Sequence, residues 1–345
     1  MAKNNSRRIE STFVGAFVPL LLCLSGCESL DLALCGSANC EFSREEWIAL
    51  SSLSGLGEPP SDNSNKYIGQ SDAISLGQKF YFDSRFSGDA TQLDMLKRPT
   101  PYGRSPKGQP TGLSCSTCHA PSHAGVDATS IPGNGSVGAG FYDVNSQPTV
   151  NAAYYQLLYW NGRVDSLWAQ AVAVSESFVS MNGNRLSIGW TILDKYKNAY
   201  ELVFKETPLP FAQESSAAQR AFLQENGRCK RGVGDECPPA VCHETAGSDA
   251  SMQCLPRFPM SGRPGTKMGC QLDDRDEPFG DAYDCMTDAD KISITRVLVN
   301  FGKAIAAYEY SLVSRNSAFD QFVAEGPRST KLSPAAQRGA RLFVG

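Results

Sequence analysis

Cys115-Ser116-Thr117-Cys118-His119 is a C-x-x-C-H sequence, which is the pattern of a covalent c-type haem attachment site. On one helical turn, positions i, i+3 and i+4 fall on the same side. Both thiols can therefore form thioethers to the porphyrin while His119 reaches the iron. Two other interpretations are a disulfide oxidoreductase, which needs a βαβ context, and half of a zinc site, which needs a second Cys/His pair. Neither context is visible in the sequence, so the motif predicts haem c, with one haem in this chain.

The N-terminus has the pattern of an export signal. Basic residues precede an apolar run, 13–24, which is too short to span a bilayer and continues into an L-S-G-C sequence that ends at Cys27. This ending resembles the lipobox of bacterial lipoproteins, so we expect 1–26 to be a signal peptide and Cys27 to carry lipid. The expected location is the periplasm, and Glu28 favours the outer membrane because it is not the Asp typical of inner-membrane retention. An ordinary secretory signal with an incidental Cys is the alternative.

Composition limits the function classes. The chain has 345 residues, of which 41% are hydrophobic, and a formal net charge of -4 with interspersed charges, so nucleic-acid binding is not expected. Of its 12 cysteines, eight are not assigned to the signal, the lipid or the haem. An even number of thiols in an exported protein indicates disulfides, whose pairing the sequence does not determine. The eight are Cys35, Cys40, Cys229, Cys237, Cys242, Cys254, Cys270 and Cys285.

Apolar residues recur at helical spacing in several segments, whereas strand signals are scarce, so the fold is predicted to be mainly α. Residues 27–65 are predicted to be a lipid tether and linker, because 41–65 are rich in Ser, Gly and Pro. The periodic segments run from Leu76 to Phe80, from Leu167 to Phe178, from Trp190 to Phe204 and from Ile294 to Leu312.

Residues 211–288 differ in composition, because they contain six Cys, many Pro and Gly, and an acidic run at 273–277. This composition predicts a disulfide-rich insertion. Cys237, Cys242 and His243 form a C-x-x-x-x-C-H sequence, for which an expanded second haem site is the alternative to disulfides. The intervening prolines oppose a helical turn there. A calcium site in the acidic run is a further alternative, although no ordered ligand spacing supports it.

Four blocks of the chain share their pattern with a known family: 76–89, 113–127, 145–182 and 297–343. They resemble the bacterial dihaem cytochrome c peroxidases and the related dihaem enzymes that mature methylamine dehydrogenase. The resemblance implies a cytochrome c-like haem domain formed by 66–210 and 289–329. It also implies that 330–345 starts a second, truncated cytochrome c-like domain, with a second haem motif expected beyond Gly345.

The resemblance implies an oxidoreductase that reduces hydrogen peroxide with electrons from a cytochrome c or a cupredoxin, and it leaves a homodimer open. Trp160 matches the family's Trp between the haems, an electron relay, with core packing as the alternative. Asn145 matches a position that helps to hold calcium. Ser180 stands where these peroxidases usually have a catalytic Glu, so Glu176, one helical turn earlier, is the candidate base, and His123 is a second candidate.

Two other functions remain open from the sequence. The same oxidising chemistry could act on a protein or an organic substrate. A non-catalytic electron-transfer cytochrome is the second alternative, with a methionine as the other axial iron ligand. The candidate methionines are Met181, Met252, Met260 and Met268.

Overall fold

The computed structural model describes residues 42–91, 107–128, 135–211, 240–244, 252–265 and 283–345. They divide into two compact units, one from Glu58 to Ser314 and the other formed by 42–57 with 315–345. The predicted signal peptide, the lipidation site Cys27 and the acidic run lie outside the described residues.

Helices dominate the described residues, in agreement with the mainly α prediction. The α-helices are α1 Arg44–Ser51, α2 Ser71–Phe82, α3 Cys115–Cys118, α4 Leu167–Glu176, α5 Arg185–Val203, α6 Asp288–Glu309, α7 Ala318–Glu325 and α8 Pro334–Val344. Short 3-10 helices cover Ser84–Phe86, Pro121–His123 and Ala152–Tyr154. Two strands, β1 Ala240–Glu244 and β2 Met252–Pro256, form an antiparallel pair.

Helix α6 forms the centre of the larger unit. The side chain of Thr287 caps its start by accepting a hydrogen bond from the backbone N–H of Asp290. The apolar stripe predicted from the sequence is buried, including Ile294, Val297 and Phe301. Helices α2 and α4 pack along α6. Burial of this stripe against both neighbours holds the core together, because apolar surface is removed from water on several sides of one helix.

Two glycines allow close approach of the backbones at α6. A methyl group at Gly77 in α2 would overlap the carbonyl oxygen of Ala304, and one at Gly302 would meet the carbonyl oxygen of Trp168 in α4. Gly302 therefore has a packing role in the helix interior, where glycine is otherwise unfavourable.

Helix α4 is shorter than its periodicity predicts. It starts at Leu167 and ends at Glu176, whereas Phe178, the last member of the expected stripe, lies in the following turn and is 51% exposed. The chain reverses here because the N–H groups of Ser180 and Asn182 both bond to the carbonyl of Ser177. Ser180 consequently does not continue the face of α4 that carries Glu176.

The smaller unit includes residues that the sequence predicted to be a linker. Residues 44–51, within the tether predicted at 27–65, form α1, whose start has a capping box between Ser43 and Glu46. Phe42 and Leu50 are buried with Phe322 of α7 in one apolar cluster. The linker prediction is wrong for these residues, since local Ser and Gly content does not reveal apolar partners that lie about 270 residues later in the sequence.

The smaller unit also begins at a different residue from the predicted end of the haem domain. The expected haem domain ended at 329, but the described chain changes unit between Ser314 and Arg315. Helices α7 and α8 both lie in the smaller unit, together with α1. The expected division at 329/330 followed the family pattern, which carries no information about contacts with α1.

In the insertion, the described residues 240–244 and 252–256 form strands, with Cys242 opposite Cys254 in the register. A strand at 240–244 does not provide the helical turn of a haem motif, so the alternative of a second haem at Cys242 and His243 loses support. Cys285 is disulfide-bonded, and the disulfide-rich insertion as a whole stays a prediction. Within the described parts of the chain, helices long and apolar enough to cross a membrane are absent.

Candidate haem site

The C-x-x-C-H motif forms one helical turn, as its spacing indicated. The backbone N–H of His119 donates to the carbonyl of Cys115 at 3.0 Å, and the N–H of Ser114 donates to the hydroxyl of Thr117 at 3.0 Å. Cys115 and Cys118 are free thiols. Burial raises the pKa of each thiol to about 12, so both are protonated at neutral pH. The turn therefore presents two adjacent unpaired thiols and one imidazole.

His119 is oriented by its own loop. Its Nδ1 lies 2.8 Å from the carbonyl oxygen of Gly125, which leaves Nε2 for a metal. Burial lowers the pKa of His119 although the carbonyls of Gly125 and Gln147 oppose that shift, so the imidazole is neutral and can bind iron. Gly125 has φ +77°, and a methyl group there would overlap Thr149. A glycine is thus required to place the carbonyl that orients the ligand.

The motif opens into a partly enclosed cavity. The walls are largely apolar, with a few polar side chains. A haem fits these residues because two free thiols and a pre-oriented neutral imidazole face the same cavity. Its lining includes Cys115, Cys118, His119, Tyr142, Ser180 and Glu309.

Trp160 also lines the cavity, but it is 67% exposed, so the core-packing alternative is wrong. Its Nε1 donates to the carbonyl oxygen of Asn145 at 2.8 Å, which fixes the indole between the cavity and the surface. An aromatic ring in this position is accessible both from solvent and from the cavity.

Asn145 connects three parts of its loop. Its side-chain oxygen accepts from the hydroxyl of Ser136 at 2.8 Å and from the N–H of Ser146 at 3.0 Å, while its amide donates to the carbonyl of Asp127 at 3.3 Å. Calcium takes six to eight oxygen ligands, usually with carboxylates among them. The part of the chain that the structure describes contains no group of three or more His, Cys, Asp or Glu side chains able to hold a metal ion. The predicted calcium role of Asn145 therefore gains no support, and its observed role is hydrogen bonding.

Glu176 is not placed at the cavity. Its carboxylate forms a bidentate pair with Arg185, at 2.7 Å from Nη2 and 3.0 Å from Nε, and also accepts from the Arg185 backbone N–H. It is absent from the described residues that line the cavity. The prediction that Glu176 faces the haem is therefore wrong, because α4 directs this side chain towards the start of α5. His123 is likewise outside the lining and bonds to Ser122 on an exposed turn.

Ser180 does line the cavity, as the family position implied, and is 6% exposed. Its hydroxyl forms a hydrogen bond with that of Tyr142. The neighbouring Met181 also lines the cavity, whereas Met260 packs against the apolar core. The side chain of Met252 and all of Met268 lie outside the described residues.

Tyr142 and Glu309 also line the cavity, although no pattern in the sequence indicated either residue. Tyr142 occurs in a Gly-rich segment with little periodicity, so no pattern connects it with Ser180. Glu309 ends an apolar helical stripe, where a charged residue normally indicates the solvated end of a helix. The only available signal was that the stripe continues past it to Leu312.

A family model described as "Di-haem cytochrome c peroxidase" matches residues 71–226, which confirms the resemblance for that segment. "Cytochrome-c peroxidase IdrP1" of Denitromonas iodatirespirans is 33% identical over 135 residues, covering 39% of this chain and 30% of the relative. The protein of the same name in Pseudomonas sp. (strain SCT) is 29% identical over 147 residues, covering 42% of this chain and 32% of the relative. The matched segments thus span about a third of the length of these curated relatives.

Proposed function

Because residues 71–226 match the di-haem cytochrome c peroxidase family, we propose that this chain binds haem c and reduces hydrogen peroxide with electrons from a small redox protein. The observation that supports the proposal best is the cavity itself. Two free thiols and a neutral imidazole face it from one helical turn. A bound haem would supply redox-active iron for the reduction of peroxide.

Three residues hold the cofactor in this proposal. The thiols of Cys115 and Cys118 would form its thioethers, and Nε2 of His119 would bind the iron. The carbonyl of Gly125 keeps the imidazole in one tautomer, because Nδ1 must carry the proton to donate to it. Haem binding is measurable as one haem per chain in a pyridine haemochrome assay.

Proton transfer falls to Tyr142 and Ser180, since Glu176 is paired with Arg185 away from the cavity. A hydroxyl both donates and accepts a hydrogen bond, so a pair of hydroxyls can pass a proton between the cavity and the loop that carries Tyr142. Such a relay replaces the carboxylate that the family usually has at the position of Ser180. It serves peroxide cleavage by moving a proton from one oxygen to the other.

The test is stopped-flow mixing of peroxide with the ferric protein at matched haem content. We expect Tyr142→Phe to slow the reaction by about 10²-fold or more, because general acid–base groups typically contribute 10²- to 10⁴-fold. Tyr155→Phe is the matched control, since Tyr155 is 53% exposed and does not line the cavity. An unchanged rate in Tyr142→Phe would exclude the relay.

Electron entry is assigned to Trp160. The indole is exposed on one side and lines the cavity on the other, which suits transfer from a docked cytochrome c or cupredoxin. Trp160→Phe is expected to slow reduction by the donor while leaving the first reaction with peroxide unchanged.

A second candidate function is electron transfer without peroxide chemistry. Met181 supports it, because this methionine is 6% exposed and lines the same cavity as His119. Thioether and imidazole ligands are the axial pair of electron-transfer cytochromes c. A low-spin His/Met spectrum and no reaction with peroxide would favour the carrier, whereas a high-spin ferric spectrum with rapid reaction would favour the peroxidase.

A further inference from the structure

Glu309 is a buried carboxyl group in the cavity that the proposed mechanism does not use. It is the last residue of α6 and is 5% exposed. Its Oε2 is buried and has no hydrogen-bond partner among the described residues. Burying an unpaired carboxylate costs several kcal/mol, so such a group is expected to stay neutral or to serve a function.

The position of Glu309 at the end of α6 also favours the neutral form of its carboxyl group. The C-terminus of a helix carries partial negative charge, and α6 is 22 residues long. That charge disfavours a carboxylate at Glu309. Burial raises its pKa to about 8.

The titratable groups that face Glu309 do not compensate its charge. Tyr81 of α2, Cys115 of α3 and Tyr308 of α6 interact with it, and burial raises the pKa of all three, so they are neutral at physiological pH. Among the described residues, no lysine or arginine forms an ion pair with Glu309. The carboxyl group is therefore surrounded by neutral groups.

The other helices that pack on α6 direct their charges elsewhere. The one ionisable residue of α4 is Glu176, which pairs with Arg185 of α5. Arg185 reaches α6 at Thr295, and Tyr200 of α5 bonds to Asn300. Both contacts lie at least two helical turns from Glu309. The charge that can change most in this cavity is then that of the cofactor.

We infer that Glu309 takes up a proton when the haem in this cavity gains an electron and releases it when the haem loses that electron. The reaction balances as one electron from the redox donor to the iron and one proton from solvent to the carboxylate. Ferric haem carries one more positive charge than ferrous haem, so the oxidised state favours the ionised carboxylate. The inference rests on the proposed haem site but not on peroxide reduction.

The test is a spectroelectrochemical titration of the haem-loaded protein between pH 5 and pH 9. In the pH range where reduction takes up the proton, the reduction potential of the haem should fall by about 59 mV for each pH unit. This slope corresponds to a tenfold change in the one-electron equilibrium constant. Glu309→Gln is always neutral, so its potential should stay at the low-pH value of the wild type. Glu201→Gln is the matched control, because Glu201 lies in the same unit but does not line the cavity. It should retain the wild-type slope.

Several outcomes are distinguishable. A full slope in Glu309→Gln, or a flat potential in the wild type, would overturn the inference. Haem content is measured first, and a wild-type chain without haem would overturn the proposed function instead. If Glu309→Gln does not fold, the reduced-minus-oxidised infrared spectrum of the wild type decides. Reduction should then produce a protonated-carboxyl C=O band that shifts in D₂O, and its absence would overturn the inference.

Discussion

Glu176 and Glu309 each end a helix, but their surroundings give them different roles. The carboxylate of Glu176 is held by Arg185, and its backbone carbonyl accepts from Arg263. Oε2 of Glu309 has no hydrogen-bond partner in the described part of the chain and faces neutral groups. Removing the carboxylate of Glu176 would leave the buried charge of Arg185 without its partner, whereas Glu309 has no such partner to lose.

At this scale, Glu176→Gln is expected to destabilise the protein by about 2 kcal/mol, because the side chain of Arg185 is 12% exposed and loses its charged partner. The peroxide rate per haem should be unchanged. Thermal unfolding and stopped-flow kinetics on the same preparation measure the two effects. A rate loss of 10²-fold or more at full haem content would instead restore Glu176 as the base.

At the scale of elements, the packing of α2 and α4 against α6 requires residues without a side chain at the points of closest approach. Gly77 contacts α6 from α2, and Gly302 allows α4 to lie against α6. The same helix supplies Ile305 and Glu309 to the cavity wall. Packing of these helices therefore shapes the wall of the candidate haem cavity as well as stabilising the core.

We expect Gly77→Ala and Gly302→Ala each to lower the free energy of unfolding by about 1–3 kcal/mol or more. The added methyl group meets a backbone carbonyl that cannot move without its helix. The Tm should fall by several degrees. Gly339→Ala is the control, because nothing lies within 4 Å of a methyl group there. Alanine should stabilise α8 by up to about 1 kcal/mol. Equal Tm values for all three variants would contradict the close approach.

At the scale of the whole molecule, chain segments far apart in sequence form each unit. Glu46 pairs with Arg341, and Ser54 bonds to Asp320, which joins the two ends of the described chain in the smaller unit. The larger unit contains the haem motif and α6. Ahead of both lies the predicted lipid attachment site, Cys27, which is outside the described residues.

We propose that lipid on Cys27 holds the protein at a membrane facing the periplasm. Cys27→Ser should move the processed protein from the membrane fraction to the soluble periplasmic fraction, because acyl chains would provide its membrane affinity. Cys23→Ser is the matched control, since Cys23 lies within the expected signal and should not change the distribution. Processed Cys27→Ser protein that stays in the membrane fraction would contradict the lipoprotein interpretation.

The sequence alone determined the features that depend on short spacing. The C-x-x-C-H motif indicated the candidate haem site, and periodicity located α2, α5 and α6, since side chains three or four residues apart share a helix face. Only the tertiary structure decided which distant groups meet. It paired Ser180 with Tyr142, directed Glu176 to Arg185, and left Glu309 unpaired at the cavity. It also brought 42–57 to 315–345. The physical reason is that packing and electrostatic environment depend on three-dimensional neighbours, which no local pattern in the sequence specifies.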